Sequence, residues 1–327
     1  MTRRYLVTGG AGFIGSHVTE ALLQRGDEVV ILDNFNDYYD PARKRMNVQE
    51  VESATSPGER LAVVEGDIRD AKAVRRALEQ PVEAIVHLAA MAGVRASIED
   101  PALYYDVNVM GTLKLLEAAV DMDPKPVFVF ASTSSVYGDS TTFPLEESDR
   151  CDRPLVPYSS SKRAAEMMGH AFHNLYDLDV TAVRFFTVYG PRGRPDMMAY
   201  KVADSAAGGA PVPLYNRGQM HRDWTYISDI TAGVIAAADR RLGFEVINLG
   251  RGEPVLLADF VKLVEKELGA PADLTDAPMP QGDVTKTHAQ VDKARDLLDY
   301  SPEISVEEGV HRFTEWYRAS AQNSDQR

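Results

Sequence analysis

Arg4-Tyr-Leu-Val-Thr-Gly-Gly-Ala-Gly-Phe-Ile-Gly15 is the stretch whose reading decides the fold. Its first five residues, Arg4 to Thr8, read as a short buried strand, and an amphipathic pattern then runs as a helix to about Arg25. Between them stand Gly9, Gly12 and Gly15, spaced three apart. Glycines at a strand-to-helix turn let the backbone approach a pyrophosphate, which rests on the amide-rich, positive end of the helix. Gly15 also allows close packing of helix on strand. The next strand, Glu28 to Asp33, ends in a carboxylate 18 residues after Gly15. An acid there accepts from a ribose diol and repels the extra phosphate of NADP, so the pair of features predicts bound NAD. A glycine run alone would be no more than a turn.

The alternation continues outward. Leu61 to Glu65 reads as a strand whose exit, Gly66-Asp67-Ile68, brings Asp67 within reach of an adenine amine. Ala84 to Leu88 and Val127 to Ala131 are further strands, the former leading through Ala89 and Ala90 into a small-residue turn ending at Gly93. Helical stretches fall near 70–79, 102–122 and 156–176. Apolar strands alternating with helices predict an α/β fold, a doubly wound parallel sheet of Rossmann type covered on both faces. The length predicts a smaller C-terminal α/β substrate domain as well. We expect residues 1–185 to form the dinucleotide-binding domain, 186–318 mainly the substrate domain with segments returning to the first, and 319–327 a frayed polar tail. His87, at a strand end, reads as a satisfied structural residue rather than a base.

The chemistry is concentrated in Tyr158-Ser-Ser-Ser-Lys162, which lies 25 residues after Thr133 of Ser132-Thr-Ser-Ser-Val-Tyr-Gly138. A tyrosine and a lysine four apart share one helix face. The ammonium would favour the phenolate, making Tyr158 a general base at working pH. A hydroxyl such as Thr133, delivered from a strand end, bonds the same substrate oxygen. Such a set removes a proton from a secondary alcohol while a cofactor takes its hydride. A lone Tyr-x-x-x-Lys pair recurs by chance, usually as a surface tyrosine beside a solvated lysine. Here a nucleotide motif precedes it.

Composition narrows the classes. The single cysteine, Cys151, excludes an internal disulfide and suits a reducing, cytoplasmic compartment. No apolar run approaches a membrane span, and the N-terminus enters a strand at once, which leaves no room for a signal peptide. A net charge of −14 without a basic patch argues against nucleic acid and anionic membranes as partners. No metal site is expected.

Taken together, the glycine loop, Asp33, Asp67, the hydroxyl run and the Tyr158/Lys162 pair resemble the extended short-chain dehydrogenase/reductase superfamily, specifically its nucleotide-sugar epimerases and dehydratases. The likeness covers essentially the whole chain. Four further stretches most closely resemble the UDP-glucuronate 4-epimerases. They are Asp33-Asn-Phe-Asn-Asp-Tyr-Tyr-Asp40, Ala92-Gly-Val-Arg95, Arg184-Phe-Phe-Thr-Val-Tyr-Gly-Pro-Arg-Gly-Arg-Pro195 and Met220-His-Arg-Asp-Trp-Thr-Tyr226. Met91, where a polar residue is common, and Trp224, where phenylalanine is, are mild departures.

The expected cofactor contacts are Gly9, Gly12, Phe13, Ile14, Gly15, Asp33, Asn34, Asp67, Ile68, Leu88, Ala89, Ala90 and Asn108, with Tyr158 and Lys162. The resemblance implies that Arg222 pairs with a diphosphate, that Val212 to Asn216, with Tyr215, runs past a uracil, and that Asp283 helps hold the nucleotide end. Arg95, Arg192, Arg194 and Arg222 are the candidate cations, although Arg192 suits a surface ion pair better.

Dehydratases of this kind carry Asp-Glu where Ser134 and Ser135 stand, and decarboxylating relatives carry a glutamate at the second position. The hydroxyl-only run therefore implies epimerisation through a transient 4-keto sugar. UDP-galactose epimerases have asparagine where this chain has Thr187. A small hydroxyl there leaves room for a C5 carboxylate, held by Thr187 and Ser134 with Arg194 nearby. UDP-glucose or UDP-galactose epimerisation, and a decarboxylase or oxidoreductase on the same fold, stay open. The resemblance also implies a homodimer paired through the helices near 102–122 and 156–176.

Overall fold

The computed structural model describes residues 2–324. Twelve strands follow in order: β1 Arg4–Thr8, β2 Glu28–Asp33, β3 Leu61–Glu65, β4 Ala84–His87, β5 Val127–Thr133, β6 Val180–Phe185, β7 Thr187–Tyr189, β8 Val212–Tyr215, β9 His221–Tyr226, β10 Phe244–Leu249, β11 Pro254–Leu256 and β12 Leu274–Ala277. Seven of them form one sheet in the order β10-β6-β5-β4-β1-β2-β3, with every neighbouring pair parallel. From β1 the chain adds β2 and β3 on one side, then crosses back to build β4, β5 and β6 on the other. The reversal between β1 and β4 leaves a crevice beyond their carboxyl ends, where ligands of open α/β sheets bind.

Side-chain alternation shows why the sheet is covered on both faces. Val7, Val29, Ile31, Val86, Val129 and Val183 enter one core, while Leu6, Val30, Leu32, Ile85, Phe128 and Ala182 enter the other. The exception is β3, where Ala62, Val63 and Glu65 are exposed. It is the outermost strand on that side and has only β2 beside it, so full cover stops one strand earlier than expected.

The helix expected near 102–122 is interrupted. Pro101–Tyr105 and Thr112–Val120 are α-helical, and between them Asp106–Gly111 widens into a π-turn. At its end a Cβ on Gly111 would stand 2.5 Å from Ile68 Cδ1, so the bare backbone there packs directly on the β3 exit.

The second half contributes two small sheets, β11-β9-β7 and β12-β8, with an aromatic core in which Trp224 stacks on Phe260 at 3.7 Å. The helix Ile227–Ala238 returns to pack on Phe13–Gln24, and β10 then completes the main sheet beside β6. The stretch from Ala319, expected to fray, continues the last helix, Val306–Ser324; residues 325–327 lie outside the described residues. No described helix is long and apolar enough to cross a membrane.

One buried ion pair fixes the long helix Pro157–Tyr176 to the sheet. Arg184 of β6 donates from Nε and Nη2 to the two carboxylate oxygens of Glu166, at 2.9 and 2.8 Å. Ser132 of β5 donates to the same carboxylate at 2.6 Å and Arg163 at 2.8 Å. Burial would raise the Glu166 acid, but the Arg184 bonds and charge hold it below the usual carboxylate range. Replacing Arg184 with methionine removes the fully buried cation at this carboxylate and leaves it to Ser132 and the part-exposed Arg163. The expected loss is about 3–5 kcal/mol in urea unfolding, and one below about 1 kcal/mol would show that the pair does not hold the helix down.

Candidate active site

Two lobes meet at the carboxyl edge of the sheet. The inner lobe is a nucleotide cradle. Gly9, in left-handed conformation at φ +69, leaves no room for a side chain, because a Cβ there would lie 2.7 Å from the Ala89 amide nitrogen. A Cβ on Gly15 would lie 2.1 Å from the Gly9 carbonyl oxygen. The helix Phe13–Gln24 starts here with no acidic residue in its first turn, so its positive end is not neutralised from within. This shape and polarity fit a dinucleotide pyrophosphate.

Asp33 closes the cradle on the ribose side, its carboxylate accepting from the Phe35 amide at 2.9 Å and the Ala11 amide at 3.1 Å. Burial raises the acid above its ordinary value, and these bonds with the Lys44 charge offset only part of that. Asp67 receives Asn34 Nδ2 at 3.0 Å and Arg69 Nη2 at 2.7 Å; the Arg69 bond takes its pKa down to about 2. Ile14, Ile68, Leu88, Ala89 and Ala90 complete the lining. Asn36, Tyr38, Tyr39 and Lys44 line it too, and sequence reasoning assigned them no role. The stretch from Asp33 to Asp40 was singled out by resemblance, yet nothing in its spacing showed that it folds over the crevice.

Asn108 does not line the cradle. It is buried in the π-turn, its amide bonded to the backbone of Met91 and to Ser161, so it shapes the wall from behind. His87 is likewise fully buried, away from both lobes.

Thr133, at the end of β5, and Tyr158 and Lys162, in the first turns of Pro157–Tyr176, converge on the inner lobe. Burial raises the Tyr158 phenol above its ordinary value, with the nearby Thr133 hydroxyl and the charge of Arg194 opposing. The expectation that Lys162 lowers the phenol is not met. Lys162 is itself so enclosed that burial pushes it to about 8, weakening its own hold on charge. Arg194 grips Asp196 with two bonds, 2.9 and 3.0 Å, and lies over the Tyr38 ring. Phe13, Tyr38, Tyr158, Thr187, Arg194 and Met197 line both lobes, and so form the constriction between them.

The outer lobe is lined by cations. Arg95 donates to the Tyr215 hydroxyl at 2.6 Å and lies 4.0 Å over that ring. Arg222 donates to Asp283 at 2.7 Å. Behind it Asp223 accepts from the amides of Arg251, Gly252 and Ala289 at 2.7–2.9 Å, which fixes the backbone that carries Arg222. Lys201, not foreseen, joins this wall; burial and the like charge of Arg95 lower it, with Asp196 opposing. Arg192 stands outside both lobes, paired with Glu20 and Glu50.

Ser134 and Ser135 also miss the lining of both lobes. They begin a 3₁₀ turn, where Ser135 accepts from Thr133 at 3.2 Å. Among the described residues no group of three or more His, Cys, Asp or Glu is placed to hold a metal ion.

The model of the NAD dependent epimerase/dehydratase family matches residues 5–250. A protein of Rhizobium meliloti (strain 1021), named probable UDP-glucuronate 4-epimerase, is 41% identical, with 96% of each chain covered. The crystal structure of UDP-glucuronic acid 4-epimerase from Bacillus cereus, in complex with UDP-glucuronic acid and NAD, is 33% identical, covers 97% of this chain and 99% of its own, and superposes with a TM-score of 0.87. DesIV of Streptomyces venezuelae, a dTDP-glucose 4,6-dehydratase, is 32% identical over 98% of each chain with a TM-score of 0.88. Backbone likeness alone does not choose between these reactions.

A methyl group at Gly15 has nowhere to go but into the Gly9 carbonyl. Gly15→Ala is expected to abolish dinucleotide binding in a titration while the chain stays folded by circular dichroism; wild-type affinity would exclude this turn as the pyrophosphate seat.

Proposed function

The chain belongs to the NAD dependent epimerase/dehydratase family, and from that premise we propose that it is an isomerase interconverting UDP-glucuronate and UDP-galacturonate at C4. The observation that carries this reading is the constriction, where a buried tyrosine, a free hydroxyl and an arginine stand between a dinucleotide cradle and a cation-lined lobe.

Gly9, Gly12, Gly15 and Asp33 would hold NAD, which when bound would supply a reversible hydride acceptor. Tyr158 takes the proton of the sugar 4-hydroxyl, with Thr133 bonded to the same oxygen, and later returns it. The buried Lys162 would orient the nicotinamide ribose. Arg222, Arg95 and Tyr215 keep the UDP end in the outer lobe while the 4-keto sugar turns its other face to the cradle. Hydroxyls at Ser134 and Ser135, in place of the dehydratases' acids, favour simple return of hydride over elimination. Labour divides near residue 185, with nucleotide cofactor before it and sugar nucleotide mainly after.

The fate of the carboxylate is the delicate part. Oxidation at C4 makes a β-keto acid, which loses CO₂ when the carboxylate bond aligns with the carbonyl π-system. Thr187 and Arg194, which line both lobes, are the donors we assign to the group, with Ser134 next to Thr133 as the third. Hydrogen bonds to an anion are worth roughly 1.5–3 kcal/mol each, enough to bias its rotation.

We also take the protein to be a cytoplasmic homodimer. Tyr105, Met110, Met167, Leu175 and Tyr176 leave 41–67% of their surface exposed on the helices Pro101–Tyr105 and Pro157–Tyr176 and on the π-turn between Tyr105 and Thr112. A second copy would cover them. Light scattering should give twice the 36.0 kDa chain, and Leu175→Glu should lower it; a wild-type monomer at micromolar concentration would overturn this.

Incubation with UDP-glucuronate and no added NAD tests the reaction. A new isomer without NADH build-up is expected, and Tyr158→Phe should be slower by about 10²–10⁴-fold. Thr187→Val keeps shape and deletes the donor. Slower epimerisation with CO₂ release and accumulating NADH is expected; unaltered turnover without CO₂ would remove Thr187 from carboxylate binding and weaken the case for a uronate.

A further inference from the structure

A single buried chain of hydrogen bonds joins the cofactor loops to the helix of Tyr158. The Ala89 amide donates to Thr8 Oγ1 at 3.2 Å, and Thr8 Oγ1 meets His87 Nδ1 at 2.7 Å. On the other side of the ring, His87 Nε2 meets Thr112 Oγ1 at 2.9 Å, and Thr112 donates to the Asn108 carbonyl at 2.6 Å. The side chain of Asn108 then takes over. Its Oδ1 accepts from the Met91 amide at 2.8 Å, and its Nδ2 donates to the Met91 carbonyl and to Ser161 Oγ, both at 3.0 Å. Ser161 donates to the Tyr158 carbonyl at 2.8 Å.

The ends of the first half fix the direction of every bond. An amide only donates and a carbonyl only accepts. Thr112 gives its one proton to Asn108 and therefore accepts from His87, so the ring carries its proton on Nε2. Thr8 accepts from Ala89 and gives its proton to the bare Nδ1. His87 is neutral and held so, burial and the nearby Lys162 taking its pKa to about 3. It is 3% exposed, between Thr8 and Thr112 at 0% and 2%.

We propose that His87 is a positioning residue for the reaction: by bridging Thr8 and Thr112 it sets the strand-exit loop 88–92 against the π-turn, and through Asn108 and Ser161 it sets that loop against the first turn of the catalytic helix. The loop walls the cradle with Leu88, Ala89 and Ala90, and the helix turn carries Tyr158. Both sides of the reacting site therefore hang on one ring with an acceptor on one edge and a donor on the other. Polarity in this order, and not bulk alone, is what the position requires. Glutamine reproduces it, with an amide oxygen for Thr8 and an amide N–H for Thr112; phenylalanine fills the space and supplies neither.

His87→Phe, His87→Gln and Thr112→Val test this, read by NAD affinity in calorimetry, by hydrogen exchange at residues 88–92, and by turnover on UDP-glucuronate. The turnover reading rests on the proposed reaction, whereas affinity and exchange do not, so the two can fail separately. His87→Phe and Thr112→Val are each expected to weaken NAD about ten-fold. Both should also speed exchange of the Ala89 and Met91 amides. The turnover rate should fall by about ten- to a hundred-fold, with KM for the sugar nucleotide unchanged because the outer lobe is untouched. His87→Gln should recover most of each loss. Wild-type NAD affinity and exchange in His87→Phe would overturn the proposal, as would a His87→Gln variant as damaged as the phenylalanine one. If His87→Phe does not fold, Thr112→Val breaks the same chain at a smaller side chain and decides alone.

Discussion

Everything catalytic here depends on where Glu166 is held. Its carboxylate is four residues beyond Lys162 on the same helix, so fixing Glu166 fixes the turn that presents Lys162 and, one turn earlier, Tyr158. The groups that fix it come from the residue before Thr133 and from Arg184, three residues before Thr187. Three segments that line the inner lobe thus share a single charged knot. A buried ion pair of this kind gains little stability over an apolar contact of the same size, because desolvation offsets the attraction. What it adds is direction. A bidentate guanidinium accepts one register of helix against strand and rejects a slip that greasy packing would tolerate.

Electrostatics are organised against the grain of the composition. A chain with a net charge of −14 gathers Arg95, Arg194, Lys201 and Arg222 along one open lobe, with Asp196 and Asp283 tempering two of them. Low-dielectric walls strengthen the field of the inward cations, while the acidic exterior discourages anions from lingering elsewhere. Asp283 and Asp196 have a further effect. They keep Arg222 and Arg194 in one geometry before a ligand arrives, so less side-chain freedom is lost on binding.

Much of this was legible from residues alone, and the failures share a cause. Strands β1, β2 and β3 fall where apolar runs and turn residues put them, because a parallel sheet writes itself into sequence as uninterrupted hydrophobicity. The glycine loop and its acid were readable because backbone approach tolerates one residue type only. Asn108 was misplaced because a π-turn rotates side chains away from the phase that α-helical spacing assumes. Ser134 and Ser135 likewise begin a 3₁₀ turn after the strand, which strand spacing does not announce. Arg192 and Arg194 are two residues apart and point to different partners, since the backbone reverses through a positive φ at Arg192. For Tyr158 and Lys162 the spacing correctly gave a shared environment, but spacing carries no dielectric. Burial, which only the assembled fold determines, set the direction of both titrations.

The late arrival of β10 bears on how such a protein comes into being. β6 closes the first half of the chain with every residue buried, and its outer edge pairs with β10 across six registered positions, Phe244 to Leu249. More than fifty residues are made between the two strands, among them β7, β8 and β9 of the outer lobe and the helix Ile227–Ala238. Until they emerge, a nascent chain displays an unpaired strand edge flanked by apolar side chains, the template on which other chains add. The cradle is therefore not a module that folds first and acquires a partner later. Its sheet has an open seam for most of synthesis, and only a segment from beyond the outer lobe's strands β7, β8 and β9 sews it shut.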